Sequence, residues 1–112
     1  MFGKGKKGSR QSVEQRVASI KALSEHSEVK KKKKKGEDND SDFYKLLNFL
    51  NDEAPECRIA AAEALGKTSR DVAVTHISHK MNSEKDENVI KAMRSALSSI
   101  RENMRIEHAE KA

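Results

Sequence analysis

With 112 residues, one Cys, no Trp and 37% charged against 35% hydrophobic residues, the chain has room for one small domain. It cannot close an intrachain disulfide, has no run near the roughly 18 apolar residues needed to cross a bilayer, and must concentrate its sparse apolar residues on packing faces to fold at all. The net charge of +5 divides into +9 over residues 1–35 and −4 over 36–112, so any attraction to polyanions sits in the first third.

Residues 1–11 combine three Gly with Lys4, Lys6, Lys7 and Arg10 and are expected to be a disordered basic N-terminus. No apolar run follows them, so no signal peptide is expected, and with a single thiol the reading is cytoplasmic. Ser12 and Gln15 have capping-box spacing, opening a helix over residues 12–27 with Val13, Val17, Ile20 and Leu23 on one stripe. Residues 28–41 read as a linker: Lys30, Lys31, Lys32, Lys33, Lys34 and Lys35, then Gly36 and an acidic stretch.

Asp42 or Ser41 is expected to cap the next helix, whose Phe43, Leu46, Leu47 and Leu50 have the spacing of a buried face. Pro55 suits a first helical turn, and the alanine-rich helix from Glu56 to Leu65 is expected to stop at a left-handed Gly66. A helix from about Arg70 to Met81 points Val74, Ile77 and Met81 inward. A last helix starts near Asp86 with Val89, Ala92, Met93, Ala96, Leu97 and Ile100 on its stripe, and residues 105–112 form a charged tail expected to fray.

Three segments share one layout: Arg16 to Leu23, Arg58 to Leu65 and Ile90 to Leu97, each with Ala in the third and seventh places and Leu in the eighth. The first two lie 42 residues apart and the last two 32, the linker supplying the excess. Self-similarity at this period marks stacked helix pairs, and Ala at i and i+4 lets two helix backbones approach closely.

The stretch from Leu50 through Pro55, Arg58 and Ala60 to Gly66 resembles the HEAT-like repeat of phycobilisome-lyase-type and many bacterial proteins. Cys57 stands in place of the usual Val, and the last copy has Ile90 and Ser98 where Arg58 and Gly66 stand. The resemblance implies an all-α fold: an α-α superhelix, a short solenoid of antiparallel helix pairs, with two repeats over residues 42–104 and the 12–27 helix as a cap. It implies that Asp52 and Arg58 pair and tie neighbouring repeats together, and that the second helices line a partner-binding face with Glu56, Ile59, Glu63, Lys91 and Arg94.

The expected function is a non-enzymatic protein–protein interaction module or scaffold, with no cofactor, whose exposed repeat end also suits a homo-oligomer. A second reading is a nucleic-acid or anionic-surface binder using Lys30 to Lys35, though no aromatics are interleaved to stack on bases. The plainer reading of that run is a solvated tether. A third, an accessory to chromophore attachment, rests on fold analogy alone. Cys57 lies in an apolar stripe and reads as core rather than nucleophile. His76 and His79 have a spacing that can share a metal, but no further ligand recurs beside them, so exposed histidines are the expectation.

Overall fold

A computed structural model describes residues 12–25 and 41–111. Among them are five helices and no strand: α1 (Val13–Ser24), α2 (Ser41–Phe49), α3 (Pro55–Leu65), α4 (Asp71–Met81) and α5 (Glu87–Lys111). The architecture is all-α. Helix α3 is central, packing against α1, α2 and α5, while α5 also covers α4 and α1 touches α2. The basic segment 1–11 and the lysine-rich linker fall outside the described residues.

Helices α1, α3 and α5 each begin for a local reason. Ser12 Oγ accepts the Gln15 backbone N–H and the Gln15 side chain accepts that of Ser12, both at 3.1 Å, which is the reciprocal cap read from the sequence. Pro55 occupies the first turn of α3, where its missing N–H had no helical partner. Asp86 Oδ1 accepts the N–H groups of Asn88 at 2.8 Å and Val89 at 3.2 Å, capping α5.

Apart from Phe43 and Cys57, the buried hydrophobic core is aliphatic or Met. Phe43, Leu46, Leu47 and Leu50 are buried at the spacing expected for α2. Ile20, Cys57, Leu65, Ile77, Val89, Met93 and Ile100 are sealed from solvent. Ala60, Ala64 and Ala96 retain only 6%, 4% and 3% of their surface, as close helix packing requires, whereas Ala92 is half-buried and Ala18 and Ala22 on α1 are exposed. The inward stripe of α1 is Arg16, Ile20 and Ser24; Val13, Val17 and Leu23 are only half-buried. Hydropathy alone centres the stripe on the valines, because it places a charged arginine outside. Helix α4 turns Ala73 and Ile77 inward and leaves Val74 and Met81 half-buried.

Two helix ends differ from expectation. Gly66 closes α3 with φ −62° and ψ −15°, in the right-handed region rather than the left-handed one. Its lack of a side chain serves proximity. A Cβ there would lie 3.3 Å from the Ala96 Cα, 3.3 Å from the Glu63 carbonyl and 3.4 Å from that of Ala62. Glycine at this point lets α5 close onto the end of α3.

The other difference is α5, which stays helical through Lys111 where a fraying tail was expected from Arg105. Asn103 Nδ2 donates to the Gly66 carbonyl at 3.0 Å and to the Thr68 carbonyl at 2.9 Å. Ser69 Oγ donates to Glu107 at 3.2 Å, and Met104 packs on the core. These contacts tie the charged turns to the α3–α4 connection. Asn103→Ala leaves both carbonyls short of a donor, at a cost of about 2 kcal/mol. Hydrogen exchange should quicken from residue 103 onward while α2 stays protected.

Candidate partner-binding surface

Two guanidinium–carboxylate pairs fix the helices that carry the surface. Arg16 donates from Nε to Asp52 Oδ2 at 3.0 Å and from Nη2 to Oδ1 at 3.1 Å. Arg58 donates from Nε to Glu84 Oε1 at 2.9 Å and from Nη2 to Oε2 at 3.0 Å. Both pairs are two-pronged, the geometry in which arginine binds a carboxylate most firmly. Their four side chains are 5–19% exposed, so water competes little.

The two acids occupy matching places. Each lies six residues before the first position of an aligned copy, Asp52 before Arg58 and Glu84 before Ile90. Each also accepts a backbone N–H two residues on, Ala54 at 2.8 Å for Asp52 and Asp86 at 3.1 Å for Glu84. In both cases the arginine of one copy reaches the turn that precedes the next. Asp52 and Arg58 were expected to pair with each other. Instead the Asp52 carboxylate takes Arg16, and Arg58 meets residue 52 only through its main-chain carbonyl, at 2.8 Å. The missed signal was Glu84, which shares the six-residue offset but not the residue type.

The electrostatics follow from this geometry. Burial pushes the Asp52 carboxyl up, but the Ala54 N–H and Arg16 outweigh it and hold it below the ordinary range. Burial likewise opposes ionisation of Glu84, and Arg58 with the Asp86 N–H prevails. The hydrogen bond to Asp52 raises Arg16 further, keeping it charged. Burial pushes the Cys57 thiol up, more than the neighbouring Arg16 pulls it down. Sealed in the core with its Sγ 4.0 Å from the Val13 carbonyl, Cys57 is a core residue and a poor nucleophile.

Between α1 and α3 lies a groove of about 670 Å³. The two helices run in the same direction: Cys57 meets Val13 near their starts, and Lys67 Nζ lies 3.9 Å from Glu25 near their ends. Val13, Val17, Ile59 and Ala60 provide its apolar lining, and Glu14, Lys21, Glu56 and Glu63 its charged groups. A smaller recess of about 260 Å³ separates α3 from α5, lined by Glu63, Ala92, Ser95 and Ser99 among others.

Of the residues expected on a partner face, Glu56, Ile59 and Glu63 come together in the larger groove, while exposed Lys91 and Arg94 on α5 line neither cavity. The close approach at Gly66 and Ala96 leaves little space between α3 and α5, so the wider opening falls on the α1 side. The α1 contribution was not read from the sequence because Val13 and Val17 were assigned to the core.

His76 and His79 are exposed on α4, with His76 Nδ1 at 3.0 Å from the Val72 carbonyl. Among the described residues no group of three or more His, Cys, Asp or Glu is arranged to hold a metal ion, and no helix is long and apolar enough to cross a membrane. Lys30 to Lys35 lie outside the described residues. No family model, curated protein or solved structure matches the chain.

Proposed function

We propose that the chain is a HEAT-like, superhelical repeat module whose work is to bind another protein rather than to catalyse a reaction. The observation that carries this reading is the α1–α3 groove, an apolar floor with charged walls on two helices. Its lining holds no Cys, Ser, Thr or His. The paired arginines at equivalent positions support a repeat origin, since each ties one copy to the turn of the next. Rigid helices joined this way present a surface at little ordering cost on binding.

The test is a photoreactive amino acid placed at Ile59 in the groove, with Ser98 on the exposed side of α5 as control, followed by irradiation in the native cell. The expected result is a discrete protein adduct from position 59 and none from 98. Identical outcomes at the two positions would remove the reading.

The charge division of the sequence favours a second, separate activity of the first third, attraction to polyanions. Retention on heparin is expected to fall sharply with added salt and to be largely lost when Lys30 to Lys35 become Gln. Unchanged retention in that variant would dismiss it.

A further inference from the structure

The charged rim of the α1–α3 groove is strongly asymmetric in sign. Glu14, Glu56 and Glu63 face a single base, Lys21. None of the three carboxylates forms an ion pair among the described residues, unlike the acids of the two interhelical pairs. Three unpaired anions around an apolar floor leave a local negative field on a chain whose overall charge is +5.

The spacing defines what fits. Val13 and Val17 are one turn apart on one wall, and Ile59 and Ala60 form the other. Glu56 and Glu63 are seven residues apart on α3, about 10 Å along the axis. A second helix laid in the groove has the same rise, so its own side chains seven apart fall opposite these two acids, while apolar side chains at i and i+4 between them reach the floor. Glu14 and Glu56 stand together at the end where α1 and α3 begin, and Lys21 offsets Glu63 at the other. The attraction is therefore strongest at the end where α1 and α3 begin.

We infer that the groove receives a basic amphipathic helix of a partner protein, with Lys or Arg seven residues apart flanking an apolar i, i+4 pair. This rests on the protein-binding reading above and adds the chemistry of the partner.

The probe is a synthetic helical peptide with leucines at i and i+4 and flanking lysines seven apart, labelled for fluorescence anisotropy against the full chain. A matched peptide carries glutamates in place of the lysines. The lysine peptide is expected to bind about tenfold more tightly, two rim charges at modest individual strength, and the gap should shrink as salt is raised. A protein carrying both Glu56→Lys and Glu63→Lys should reverse the order. Ile59→Ser, which removes apolar floor without adding charge, should weaken both peptides alike. Equal binding of the two peptides, or an order that does not reverse, overturns the inference. Both glutamates are exposed, so helix content should be unchanged by circular dichroism; if the double variant loses it, Glu14→Lys serves instead and must narrow the preference. A discrete adduct at position 59 alongside equal peptide binding would refute the basic partner and leave the binding module standing. No adduct at position 59 would refute both.

Discussion

Asp52→Ala is expected to lower the free energy of unfolding by about 3 kcal/mol, because it strands the Arg16 guanidinium between helices without its carboxylate. It also takes the acceptor from the Ala54 N–H at the start of α3. For a small domain, stable by roughly 5–15 kcal/mol in all, that is a large share. Urea denaturation followed by circular dichroism measures it. The companion variant Arg16→Met with Asp52→Leu replaces both charges with apolar groups and should recover much of the loss, since a buried pair resists the removal of one member more than of both. If the single and paired variants are equally unstable, the pair is not what joins α1 to the rest.

The same interaction sets an acid dependence. Asp52 and Glu84 both titrate lower in the folded protein than in the unfolded chain. Their contribution is therefore complete above the unfolded carboxylate range and is lost as pH falls through the depressed folded values. Stability should decline on acidification below that range, with a shallower slope in Asp52→Ala. A variant with the wild-type slope would contradict the assignment.

Gly66→Val is expected to cost about 3 kcal/mol, because its branched side chain must fit where a single carbon already meets the Ala96 backbone and the Glu63 carbonyl at 3.3 Å. Those neighbours are main chain and cannot swing aside, so α3 and α5 must separate. Gly66→Ala is the diagnostic contrast. Its methyl needs a shift of a few tenths of an ångström, and the reduced freedom of the unfolded chain, about 0.4–1 kcal/mol at a backbone conformation alanine accepts, offsets much of the strain. A near-neutral alanine beside a damaging valine identifies close approach as the role of Gly66. A severely damaging alanine would mean that the two helices cannot yield at all.

The helices were legible in the sequence wherever apolar spacing and local caps agree. The Ser12 and Gln15 cap, the α2 face from Phe43 to Leu50 and the alanine positions of α3 and α5 all follow from rules that act within a few residues. What stayed hidden depends on partners distant in sequence. Arg16 is buried because Asp52, 36 residues on, compensates its charge. The far end of α5 is ordered because Asn103 finds carbonyls 35 and 37 residues earlier. The groove was half-read for the same reason: Glu56, Ile59 and Glu63 belong to one helix, whereas its second wall depends on how α1 lies beside α3.

The arginine-to-turn pairing is not continued by the third aligned copy. The third aligned copy has Ile90, half-buried, at the position where the first two have Arg16 and Arg58. With hydrocarbon there instead of a guanidinium, α5 holds out no two-pronged donor at that position, so among the described residues the ladder of clasps closes at Glu84.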